Sequence, residues 1–107
     1  MDLLNSEFLR KVEWAGTFSY SSSRIINVLD IENAEEFILA FSNPEHPVAM
    51  AYKKGQDKAD FAIDVNLYKQ AKEGNLEAMK LYFERRAINE QDNDDEYKVK
   101  RILDNNA

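Results

Sequence analysis

The stretch KKGQDKADFAIDVNLYKQAKEGNLEAMKLYFERR, residues 53–86, decides the fold. Within it Ala59, Ile63, Leu67 and Ala71 recur at four-residue steps, the spacing of one helix face, and Phe61, Val65 and Tyr68 draw a second apolar stripe beside them. Gly74 supplies a residue free to enter the left-handed region and end that helix, and Asn75 offers a side-chain oxygen to the free amides of the next. Leu76, Met79, Tyr82 or Phe83, and Ala87 would give this next helix its buried face. The expected product is an antiparallel helical hairpin over residues 67–87 with a minimal turn. No proline interrupts the chain between Pro47 and Glu73, so the first arm should reach back to Pro47, with Val48 and Tyr52 on its main apolar face and a weak point or bend at Gly55. Two stripes on one helix need two partners, so Phe61, Val65 and Tyr68 are expected to meet a second copy of the chain in a homo-oligomer.

Outward towards the N-terminus the elements shorten. Asn5 or Ser6 can cap a helix that buries Phe8, Leu9, Val12 and Trp14 or Ala15, and Gly16 stands where a left-handed C-terminal cap belongs. The serines of Thr17–Ser23 can cap a second short helix carrying Ile25, Ile26, Val28 and Leu29. Asp30 and Ile31 make a tight connection, Glu32 or Asn33 opens a third helix with Phe37, Ile38 and Phe41 on its buried stripe, and Asn43 with Pro44 closes it. Beyond the hairpin, residues 89–96 are acidic and rich in amides and read as a solvated linker before a short helix, Tyr97 to Leu103. The fold class is therefore all-α: a helix-turn-helix-like part over residues 1–44, the long helix and hairpin over 45–88, and a linker with a last helix over 89–107.

Composition agrees. A chain of 107 residues has the length of one ordinary domain, and 44% apolar residues can close a core. Three glycines and two prolines are too few for the turns of a small β-sandwich or barrel. Without cysteine there is no disulfide framework, thiolate zinc site or thiol nucleophile. Apolar runs such as Phe37 to Phe41 fall far short of a bilayer span, and no secretory signal pattern is present, so the expectation is a cytoplasmic protein with no membrane partner.

The formal charge of −6 opposes nucleic-acid binding by the chain as a whole, but its distribution is uneven. Residues 1–50 hold three basic and eight acidic side chains, residues 51–88 eight and six, and residues 89–107 three and six. The middle segment is thus the place for phosphates. Lys53, Lys54 and Lys58, joined by Arg24 if the short helices pack back on the long one, form the best basic patch, although Asp57 and Asp60 dilute it and a solvated helix face is the competing reading. Arg85 and Arg86, with Lys80, could grip phosphates or simply favour the end of a helix. Asp57, Asp60 and Asp64 share a helical face that could take a divalent cation, yet the interleaved lysines favour exposed ion pairs. His46, between two prolines, has no companion ligand and reads as a loop residue. Serines 21–23 have no base in a recognisable pattern, and no glycine-rich phosphate loop or catalytic dyad is visible, so neither enzymatic activity nor a metal or other cofactor is expected.

The block SSSRIINVLDI, residues 21–31, reads like the first helix and turn of a helix-turn-helix, and residues 53–86 resemble the region that follows that motif in phage terminase small subunits. The resemblance spans residues 18–87 and rests on Lys54, Gly55 and Asp57, then Leu67, Tyr68, Ala71, Gly74, Asn75, Ala78, Arg85 and Arg86. It implies an oligomeric, non-catalytic DNA-packaging protein that binds double-stranded viral DNA and presents it to the large terminase subunit, in the cytoplasm of a bacterial host. On that reading Arg24, Lys53, Lys54 and Lys58 would touch DNA, and Tyr97, Ile102 and Leu103 would dock the large subunit. The helix expected over Glu32–Phe41 departs from the pattern: it carries Glu32, Glu35 and Glu36 and no basic residue, whereas major-groove readers place Arg, Lys, Asn or Gln at base edges. Tetratricopeptide-like repeats share the alanine–glycine–alanine spacing of the hairpin but need about three copies to bury a core, and here there is one. The competing class is a small acidic helical adaptor or regulator that binds a protein partner and has no affinity for DNA.

Overall fold

The computed structural model describes the backbone of residues 2–105 and the side chains of residues 2–93. Among the described residues there are five helices and no strand: α1 (Ser6–Thr17), α2 (Ser22–Val28), α3 (Ala34–Phe41), α4 (Pro47–Lys72) and α5 (Leu76–Asn105). The chain forms two compact units, residues 1–62 and 63–107, and the division falls inside α4. The protein is all-α, as its periodicity predicts.

Local chemistry starts each helix. The Asn5 side-chain oxygen accepts from the amides of Glu7 and Phe8, Ser21 Oγ accepts from Arg24, and the oxygens of Asn33 and Asn75 accept from Glu36 and Ala78. Each bond satisfies an amide that has no partner within its own helix, so each fixes where the helix begins. His46, expected to be a plain loop residue, performs the same service for α4, its Nδ1 accepting from the Val48 amide at 3.0 Å while Pro47 opens the helix.

In the first unit Phe37, Ile25, Val12 and Val48 are completely buried, one from each of four helices. Phe8, Ala15, Ala40, Leu3 and Ile31 complete the cluster, and Phe8 meets Phe37 edge to face with centroids 6.4 Å apart. Phe41 and Tyr52 extend it, and the Tyr52 hydroxyl donates to the Tyr20 carbonyl at 2.9 Å. The first half of α4 therefore belongs to the same core as α1–α3.

The glycines depart from expectation. Gly16 does not cap α1 but lies within it; Ser19, at φ 56°, takes the left-handed position further on. Gly55 likewise lies inside the continuous helix α4. The two are the contact points of a close crossing: a Cβ on Gly16 would collide with the Tyr52 carbonyl, and one on Gly55 with the Glu13 carbonyl. Thr17 Oγ1 spans the crossing, 3.2 Å from the Glu13 carbonyl and 3.4 Å from that of Gly55. Absence of a side chain here serves packing, and the helical backbone accepts the glycines because the approach of a second helix compensates.

The second unit is the expected hairpin. Gly74 turns the chain at φ 95°, the Asn75 amide donates back to the Gln70 carbonyl, and Ala71 and Ala78 are buried where the arms approach. Tyr68 and Tyr82 face each other with centroids 5.7 Å apart. Of the residues expected on the buried face of α5, Met79 and Tyr82 are half-buried, Tyr82 and not Phe83 turning inward, while Leu76 and Ala87 are exposed and the small Ala78 is buried instead. α5 also continues through residues 89–96 to Asn105 as one helix, where a linker and a separate short helix were expected. Nothing after Gly74 breaks it: the segment contains neither proline nor glycine, and its acidity alone does not stop helical hydrogen bonding.

Candidate interaction surfaces

Lys53, Lys54 and Lys58 all project from α4 in the first unit and are exposed, as the basic-patch reading requires. Each faces a carboxylate. Lys54 and Lys58 approach the same Glu13 oxygen on α1, at 3.7 and 3.4 Å, and Lys53 pairs with Asp57 one turn along at 3.5 Å. Glu13 is half-buried between the helices, a position set by the crossing at Gly55 and invisible in a local pattern because it lies some forty residues upstream of the lysines. Exposed pairs of this kind hold little energy and are screened by salt, so the lysines are free to exchange partners for a phosphate, but the local charge is much closer to neutral than three cations suggest.

Beside the lysines runs an open groove of about 640 Å³ with a floor of Phe41, Pro44, Met50 and Phe61. Phe61 is 70% exposed. The groove combines apolar floor and cationic rim and has no buried polar group aimed into it, which suits a macromolecular surface better than a small molecule.

Arg24 belongs to a different feature. It lies on α2, its guanidinium 4.1 Å from the centre of the Tyr20 ring. Tyr20 neighbours Phe18 at 5.5 Å, and Phe18 stacks on Trp14 at 6.0 Å, so an aromatic ladder ends in a cation on the surface of the first unit. Trp14, Phe18 and Val28 are more exposed than buried and border a cleft of about 270 Å³, with Lys11 also on its lining. The sequence reading left open whether Trp14 or Ala15 turns inward. Ala15 does, joining the core cluster, and Trp14 is left outside.

The third surface is the hairpin. Val65 is half-buried and Tyr68 is exposed on one side while touching Tyr82 on the other. Ile63, Leu76, Leu81, Phe83 and Ile88 are exposed in the same unit. Asp64 holds the arms together by an ion pair with Arg85 and accepts a bond from the Asn89 amide at 3.4 Å. Arg85 is thus part of the hairpin clasp and does not lie in a last helical turn, since α5 continues past it. Of the three aspartates considered as a cation face, Asp57 and Asp64 are engaged by Lys53 and Arg85. The side chains of Tyr97, Ile102 and Leu103, the expected docking positions, lie outside the described residues.

Comparison with protein-family models, with curated proteins and with solved structures finds no match to this chain. No helix among the described residues is long and apolar enough to cross a membrane.

Proposed function

We propose that this chain is a non-catalytic assembly protein of the phage terminase small-subunit kind, which oligomerises, holds double-stranded viral DNA and recruits the large terminase motor in the cytoplasm of a bacterial host. One observation carries the reading: the hairpin that follows the α2–α3 pair buries Ala71 and Ala78 but leaves Ile63, Tyr68, Leu81, Phe83 and Ile88 exposed. So much apolar surface on a single hairpin fits a contact between chains. The turn between α2 and α3, with Asp30 at φ 52°, is compatible with a helix-turn-helix, and Lys53, Lys54 and Lys58 are the cations nearest to a common face. Light scattering is expected to give a multiple of 12.4 kDa, and Val65→Lys to lower it. Several copies on one duplex add their phosphate contacts, so DNA binding should belong to the oligomer and fade steeply with salt. The double substitution Lys53→Glu and Lys54→Glu should abolish a low-salt gel shift while leaving the mass unchanged. A monomeric wild type that retards no DNA sinks the proposal.

The adaptor reading draws support from a specific observation: the patch lysines already face Glu13 and Asp57, and α3 displays glutamates where a base-reading helix carries donors. An oligomer that ignores DNA at low salt but retains a protein partner decides for it.

A further inference from the structure

We infer that the aromatic ladder on the first unit of one copy receives helix α3 of a second copy, so that copies join head to tail through α3 and the Trp14–Phe18–Tyr20–Arg24 surface.

The ladder has the composition of a binding hot spot. Tryptophan, tyrosine and arginine dominate such sites because they combine large rigid area with directed polar groups, and here they lie side by side in the open. Trp14 stacks on Phe18 yet is still 58% exposed, which leaves a large apolar face in water. The charged groups at the cleft are cations, with Lys11 on the lining and Arg24 over Tyr20. A matching surface must offer aliphatic side chains flanked by carboxylates.

Helix α3 offers that chemistry. Phe37 and Ala40 fix its inner side in the core, which turns Glu35, Ile38 and Leu39 outward, and Leu39 is 67% exposed. Glu35 and Leu39 are one turn apart, so a carboxylate and an aliphatic side chain share one face, with Glu36 beside them. Acids that would repel a phosphate backbone meet Lys11 and Arg24 with favourable sign, and Leu39 and Ile38 meet the aromatic cleft. The contact gives the acids of α3 a partner in addition to the favourable placement of Glu35 and Glu36 in the first turn of the helix. The ladder lies on α1, α2 and the segment between them, while the complementary face lies on α3, so each copy carries both halves of the contact. The inference rests on the proposed reading of the chain as an assembling protein, but names a contact that the hairpin does not provide.

Trp14 is the single tryptophan of the chain, so acrylamide quenching of its fluorescence in the full-length protein reports on this cleft alone. With rising protein concentration at low salt, quenching should fall several-fold. Leu39→Lys should keep Trp14 quenchable at every concentration, and Arg24→Glu, an exposed change outside the core, should weaken the protection with circular dichroism unchanged. Trp14→Phe is silent in fluorescence and retains its own α3; added to Leu39→Lys it should protect the remaining Trp14 again, as a head-to-tail contact demands. The hairpin contact is read separately: Val65→Lys lowers the mass at moderate concentration yet leaves concentrated protein able to protect Trp14. Two results overturn the inference. Trp14 that stays open to quencher at all concentrations gives the cleft to a different protein, and protection that survives Leu39→Lys assigns it to another surface of this chain.

Discussion

Residues 1–62 and residues 63–93 contain similar proportions of apolar side chains, yet the first set closes a core and the second does not. Four helical segments surround Phe37, Ile25, Val12 and Val48 in the first unit and exclude water from all four. In the hairpin, the buried hydrophobics among the described residues are Ala71 and Ala78. Two helices can each cover only one stripe of the other, whereas a third and fourth helix add the walls that close a core. Stability is thus divided unevenly: the first unit supplies the folding energy, whereas both units retain apolar surface that a neighbour can cover.

The sharpest way to break this comparison is Phe37→Ala. Removing a fully buried ring that touches Phe8 and Phe41 should cost about 3–5 kcal/mol, much of the stability of a small domain. Hydrogen exchange read by mass spectrometry should show protection lost across residues 1–62. Exchange that speeds up only next to residue 37 would mean that the four helices do not share one cooperative core.

Next in size is the helix crossing. Gly55→Ala places a methyl group into the Glu13 carbonyl, so α1 and α4 must separate, at a cost of ~1–3 kcal/mol. Ordinary helix propensity has the opposite sign, since alanine exceeds glycine by about 1 kcal/mol in an open helix. The direction of the midpoint shift in urea therefore decides between close packing and a mere weak point in α4. The smallest effect belongs to the hairpin clasp: Asp64→Ala removes an ion pair that is about a third exposed, and should cost ~1 kcal/mol or less. The change should appear as faster exchange in residues 63–90 with residues 1–62 unaffected. A global loss of stability would show that the hairpin is integral to the folded chain, contrary to the contrast between the units.

Of the candidate surfaces, the hairpin was legible from the spacing of Leu67, Ala71, Gly74, Asn75 and Ala78, and the lysines of α4 from their clustering. The aromatic ladder was not. Trp14 and Ala15 were both candidates for the buried face because helical periodicity tolerates a rotation of one position, and only the packed structure shows that Ala15 faces in. Arg24 was grouped with the lysines on charge alone, whereas its contact is with Tyr20, four residues away on the same stretch of chain.

What the sequence by itself determined is the all-α class and where the helices start, because a cap is a local device: Asn5, Ser21, Asn33 and Asn75 each bond an amide two or three residues ahead, and Gly74 turns the chain without help from elsewhere. Tertiary structure alone decided the use of Gly16 and Gly55, the partnering of Lys54 and Lys58 with Glu13, and the clasp of Asp64 with Arg85. Each of these joins residues about twenty to forty positions apart, and a missing side chain or a lone charge acquires meaning only when another helix is brought against it.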